Sequence, residues 1–84
     1  MKIKKNVAIS DSGFVFDPSS GDSFSLNPIG MEILGFLKEE KDFNEISGTI
    51  TNNYEIDAES FEKYFYDFIG TLRQFGLIEE HEEN

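Results

Sequence analysis

Residues 20–37, "SGDSFSLNPIGMEILGFL", change their hydrophobic period at Asn27. Before it, Phe24 and Leu26 fall on one side and Ser23 and Ser25 on the other, the two-residue period of a strand. After it the apolar residues are spaced by threes and fours, as on a helix. Asn27 is a good N-cap, and Pro28 takes the first helical position, where its missing N–H costs nothing. Leu26 and Met31 have the spacing of a hydrophobic staple, and Ile29, Ile33, Phe36 and Leu37 form the buried stripe. A short strand, polar on one face, therefore runs straight into a helix.

Upstream, "NVAIS" puts Val7 and Ile9 on one face. After the turn "DSG" (11–13), "FVFD" puts Phe14 and Phe16 on one face and Val15 on the other. "PSSGD" (18–22) makes a second reversal through Pro18 and Gly21. Two successive hairpins predict a three-stranded antiparallel meander, central in its second strand and covered on one side. Downstream, the first helix ends near "KEEK" (38–41). Asp42 and Glu45 form a capping-box pair ahead of Phe43, Ile46 and Ile50. The third helix is the longest: Asp57 caps it, and Ile56 and Phe61 make a second staple. Phe61, Tyr64, Phe65, Phe68, Leu72 and Phe75 share one face, with Ile69 at its margin. Gly76 is the expected left-handed C′ residue, with Leu77 and Leu72 at Schellman positions. Residues 79–84 read as a frayed tail of one domain spanning 1–84. The order β-β-β-α-α-α is an α+β fold, with helices on one face of a small sheet.

The chain has 84 residues and no Cys, so its core must be built without disulfides or thiolate metal sites. Nine Phe and three Tyr supply most of that core. Seventeen acidic against seven basic residues give a net charge of −10, which disfavours nucleic acid and anionic membranes as partners. The longest apolar runs fall short of a membrane span, and the basic start lacks the apolar stretch of a signal peptide. A cytoplasmic location is the expectation.

Catalysis is not supported by the residues. The one histidine, His81, sits among Glu79, Glu80, Glu82 and Glu83; in a solvated tail this cluster lacks the fixed geometry of a metal site. No nucleophile–base arrangement and no phosphate loop can be assembled, and neither a metal nor a cofactor is expected. Binding is better supported. The edge of the third strand, residues 22–26, offers unpaired backbone groups, and the third helix has a wide apolar arc. If the margin carrying Phe65 and Ile69, bordered by Glu62, Tyr66 and Arg73, faces that edge, a groove results that takes an extended peptide by strand addition. A strand this short spans only ~13–17 Å, so the helix must carry specificity.

The chain resembles the PqqD-like family, the precursor-peptide recognition elements of ribosomal peptide biosynthesis. A "D-x-x-x-G-x-x-x-x-L-N" step is met by Asp17, Gly21, Leu26 and Asn27. "G-x-x-I-x-x-x-L" follows at Gly30, Ile33 and Leu37, then "f-x-E-I" at Phe43, Glu45 and Ile46. A closing "F-x-x-x-L-x-x-x-G-L-I" is met by Phe68, Leu72, Gly76, Leu77 and Ile78. The resemblance runs from Val7 to Glu79. Many relatives carry Thr or Ala where this chain has Pro28 and Ile29, which bears on helix entry. The resemblance implies a winged-helix-like fold without catalytic activity that binds the leader segment of a precursor peptide. It also implies presentation to a modifying enzyme, commonly a radical SAM enzyme, or to a leader peptidase. The peptide-binding positions it implies are Ser23, Phe24, Ser25 and Leu26 on the strand and Phe65, Tyr66, Ile69 and Arg73 on the helix. The alternatives are a winged-helix nucleic-acid-binding or transcription-regulatory protein, and a homodimer formed through the exposed edges.

Overall fold

In the computed structural model, which describes residues 2–79, the two turn signals become the reversals of an antiparallel meander. The elements are β1 (Lys2–Ile3), β2 (Ala8–Ile9), β3 (Phe14–Asp17), β4 (Asp22–Ser25), α1 (Pro28–Lys38), α2 (Phe43–Tyr54), α3 (Ala58–Gln74) and β5 (Ile78–Glu79). The fold is α+β, with strand order β2-β3-β4 and three helices following, as the sequence predicts. It adds a second sheet: β1 pairs antiparallel with β5, Lys2 opposite Glu79 and Ile3 opposite Ile78. The Lys4 amide donates to the Leu77 carbonyl at 3.0 Å and extends the pairing. The expected frayed tail at 79–84 is corrected at its first residue, which is a strand residue. Two-residue strands carry no readable period; what orders them is burial of Ile3, Leu77 and Ile78 in the core. Of the acidic cluster at the end of the chain only Glu79 is described; Glu80, His81, Glu82 and Glu83 lie outside the described residues.

Register decides which face of the meander looks inward. Val15 lies opposite Phe24 on one side and Ile9 on the other, while Phe16 lies opposite Ser23 and Ala8, and Phe14 opposite Ser25. Phe24 and Leu26 pack on the core, so the partner that shares their face, Val15, is fully buried. Phe14 and Phe16 do share a face, but it is the outward one, where they are 54% and 44% exposed. Asp17 follows Val15 inward and is buried. Its carboxylate accepts from the Ser19 amide at 3.0 Å, and its carbonyl from the Gly21 amide at 2.8 Å. Gly21, at φ +79°, adopts the left-handed conformation that this reversal needs before β4 begins.

The helix ends follow the caps read from sequence. The Asp42 side chain accepts from the Glu45 amide at 2.9 Å, and the Glu45 carboxylate accepts from the Asp42 amide at 3.3 Å, a complete capping box. Asp57 accepts from the Ser60 amide at 3.2 Å at the start of α3. The Schellman motif closing α3 has Gly76 N–H to Arg73 carbonyl and Leu77 N–H to Leu72 carbonyl, both 3.0 Å, with Gly76 at φ +73°. The same motif closes α1: the Glu40 and Lys41 amides donate to Leu37 and Phe36 at 3.0 Å each. There the left-handed residue is Glu40, at φ +61°. The Lys38 ammonium donates to the Val7 carbonyl at 2.7 Å and ties this helix end to the meander. Ile33, Leu34, Ile46, Ile50, Phe61 and Leu72 fill the centre between the layers.

Equivalent motifs with different C′ residues predict opposite effects of substitution. Gly76→Ala should cost about 1 kcal/mol, because a Cβ is disfavoured in the left-handed region. Glu40→Gly should gain about 0.5–1 kcal/mol, the relieved strain being partly offset by glycine's greater unfolded-state freedom. Urea denaturation with an unchanged slope checks both; a destabilised Glu40→Gly would refute the strain argument.

Candidate functional site

β4 is the open edge of the meander: among the described residues no strand pairs with its outer side. The Leu26 amide donates to the Gly13 carbonyl at 2.9 Å, which marks Leu26 as a residue whose backbone faces β3. Hydrogen-bonded pairs alternate along an antiparallel ladder, so Phe24 and Asp22 also face β3. The backbone groups of Ser23 and Ser25 therefore point away from the sheet. Their N–H and C=O groups form the free ladder predicted for residues 22–26.

The helix margin beside this edge is set by two contacts. The rings of Phe24 and Phe75 stack with centroids 4.1 Å apart and planes 9° from parallel. The Tyr64 hydroxyl donates to Asn27 Oδ1 at 3.3 Å, just beyond the end of β4. Tyr64, Phe68, Thr71 and Phe75 follow one another at i, i+4, i+7 and i+11, a single stripe along α3. Gly30 allows the close approach of α1 to this stripe, since a Cβ there would lie 3.2 Å from Cε1 of Phe68. The half-buried rings of Phe75 and Tyr64 thus lie beside β4, one stacked on Phe24 and the other bonded to Asn27 just after it.

Four of the expected site residues, Ser23, Phe24, Ser25 and Leu26, lie together on or just after β4. Phe65 and Tyr66 turn to the start of α2, where their ring centroids lie 5.0 and 5.9 Å from that of Phe43. Ile69 is buried in the core, and Arg73 is exposed on the last turn of α3. The margin carrying Phe65 and Tyr66 thus packs on α2, and the opposite margin, with Tyr64 and Phe75, meets Asn27 and Phe24. Helical spacing finds the two margins of an apolar arc but cannot say which one meets a given strand. The stripe signal at Tyr64 and Phe75 is present in the sequence; the Phe24 stack and the Asn27 bond orient it.

Tyr66, 57% exposed, borders a separate open groove of about 400 Å³ that also includes Lys2, Lys41 and Phe43. A second hollow, about 410 Å³, lies between Leu26, Gly13, Pro28 and Met31. Hydrogen bonds from Ser60, its side chain first and then its amide, hold the Asp57 carboxyl below the usual carboxylate range. A hydrogen bond to Glu32 raises the Tyr54 hydroxyl. Neither group borders the β4 edge. Among the described residues no group of three or more acidic, His or Cys side chains is placed to hold a metal ion, and no helix is long and apolar enough to cross a membrane.

The profile of the PqqD family, described as coenzyme PQQ synthesis protein D, matches residues 13–78. The chain belongs to the PqqD family. The match spans the β3–β4 hairpin and all three helices, so β4 and α3 both fall within it. This PqqD-family chain is similar in structure to TbiB1 in complex with the TbiA(beta) leader peptide. The TM-score is 0.85 at 28% identity, covering 99% of this chain and 100% of that one. A lasso peptide synthetase B1 complexed with the leader peptide shares the fold, with a TM-score of 0.78 at 22% identity over 90% of this chain and 93% of that one. No curated protein matches the chain.

The Phe24–Phe75 stack is a direct ring contact between β4 and the end of α3, and it should be energetically coupled. A double-mutant cycle with Phe24→Leu and Phe75→Leu, read by thermal or urea denaturation, should give a coupling of about 1 kcal/mol. Additive losses would mean that the two rings touch without holding the strand to the helix.

Proposed function

We propose that this PqqD-family chain is a non-catalytic recognition protein. It holds the leader segment of a ribosomally made precursor peptide as a strand added to β4, and presents it to a modifying enzyme or a leader peptidase. A radical SAM enzyme is one such partner. The observation that carries this reading is the outward ladder of Ser23 and Ser25 set beside Tyr64 and Phe75. Backbone bonds hold an extended guest whatever its sequence, and the aromatic stripe selects its inward side chains. Similarity to a protein solved with its leader peptide supports the choice of guest. In this reading the strand half of the site is Ser23, Phe24, Ser25 and Leu26, and its helix half is Tyr64, Thr71 and Phe75, the margin of α3 that carries the Phe24 stack and the Asn27 bond.

A nucleic-acid role would require a basic recognition helix. Residues 57–75 carry Lys63 and Arg73 against Asp57, Glu59, Glu62 and Asp67, so this helix repels phosphates. The opposed charge favours a peptide over a duplex. The reading assigns no reaction to the chain and leaves chemistry to its partner.

Titration with a synthetic peptide of the leader encoded beside this chain's gene should shift the amides of Ser23 and Ser25 together with those of Tyr64, Thr71 and Phe75. Shifts on α3 confined to Phe65, Tyr66, Ile69 and Arg73 would return the helix half to the opposite margin. Ser23→Pro removes one outward N–H without touching the β3 ladder and is tolerable on an edge strand. It should weaken the peptide roughly 5–10-fold, the worth of about one hydrogen bond. An unchanged affinity would refute strand addition at β4.

A further inference from the structure

The outward face of the meander is unlike the rest of the surface. Phe14 and Phe16 stand on it 54% and 44% exposed, and their cross-strand neighbours are Ala8, Ser23 and Ser25. None of these residues is charged, on a chain of net charge −10. Nor is the exposure incidental to a missing core position, because Val15 between them already fills the inward side. Small neighbours leave the two rings uncovered where larger cross-strand partners would shield them.

The face also continues into the proposed guest strand. A strand paired to the outward groups of Ser23 and Ser25 sets alternate side chains on each side of the sheet. Its outward residues extend two rows, one running Ala8, Phe16, Ser23 and guest, the other Phe14, Ser25 and guest. The two rings by themselves expose roughly 200 Å². A stable interface buries about 800 Å² per partner, so they fall far short of a homodimer surface. Extended by the guest, the same face becomes larger and gains side chains from the peptide that is to be processed.

We propose that this outward face, Phe14 and Phe16 together with the outward side chains of the guest strand, is the docking surface for the enzyme that acts on the bound precursor. The partner is a protein with an apolar, non-acidic patch, and it reads the loaded chain rather than the empty one. This rests on strand addition at β4. Binding free energies are reciprocal, so the enzyme tightens the peptide's hold by the same factor by which the peptide tightens the enzyme's.

The test uses the double variant F14S/F16S, a labelled synthetic leader from the precursor encoded beside this gene, and the purified modifying enzyme or peptidase encoded with it. Wild-type chain should bind the enzyme at least about ten-fold more tightly with the leader than without it, and the enzyme should strengthen leader binding equally. The variant should bind the leader within about two-fold of wild type, yet lose roughly thirty-fold in enzyme affinity for the loaded state, as when central aromatic anchors are removed. Phe14→Tyr/Phe16→Tyr, which keeps both rings, should retain docking and controls for any loss of folding in the serine variant. Undiminished capture of the loaded serine variant, or capture independent of leader, overturns the inference. So does a wild-type dimer that F14S/F16S dissolves, since the face would then be a self-interface. Failure of wild-type chain to bind the leader at all overturns the proposed function as well, which separates the two failures.

Discussion

One side-chain oxygen ties the strand, the first helix and the third helix together. Asn27 Oδ1 accepts from the Gly30 amide at 2.7 Å, capping α1, and from the Tyr64 hydroxyl at 3.3 Å, fixing α3 beside the end of β4. A carboxamide oxygen has two lone pairs, and here both are used. Pro28 then starts the helix at once, so no loop is available to absorb a change of angle. With Gly30 against Phe68, α1 is pressed onto the stripe that carries Tyr64 and Phe75. The separation of ladder and aromatic wall therefore follows from local chemistry at residues 27–30. A cap that in most helices would serve only its own first turn here also holds α3 beside the end of β4.

Most of the fold was legible because its signals are local. Asn27, Asp42 and Asp57 cap where they were expected to, and Gly76 closes α3 in the expected motif. What sequence could not supply is long-range. The β1–β5 pair joins residues 2–3 to 78–79, and elements of two residues have no period to read. The inward face of β3 was unreadable from "FVFD" alone, where two Phe outweigh one Val in any hydrophobicity count. It is decided by register against Phe24, a partner nine residues away. The site shows the same division. The open edge at Ser23–Leu26 is legible because consecutive turn signals put this strand last in a meander. Which margin of α3 lies beside that edge is not legible, because the arc is apolar on both margins and the Phe24–Phe75 stack that breaks the tie is tertiary.

An open edge strand is a hazard in a small acidic protein as in any other, and β4 limits it by its length. Four residues, two of them with outward backbone groups, offer a second copy of the chain very few bonds. Serine on the outward face gives a self-partner no apolar gain, and like charge on two chains of net −10 opposes their approach. The same economy constrains a guest. Backbone bonds to Ser23 and Ser25 are blind to sequence, so they cannot distinguish one extended peptide from another.

In the proposed complex, selectivity must then come from the residues that the guest presents inward, which would meet a wall already filled in part by the Phe24–Phe75 stack. Two parallel rings 4.1 Å apart offer a flat, preformed surface rather than a deep pocket. A flat aromatic wall rewards apolar or ring-bearing side chains by contact area and tolerates differences in their shape. A deep pocket would reject them by volume. The arrangement therefore suits recognition of a short apolar pattern at alternate positions over recognition of one side chain. The outward positions of the same guest stay free of the groove, which leaves them open to be read by another protein.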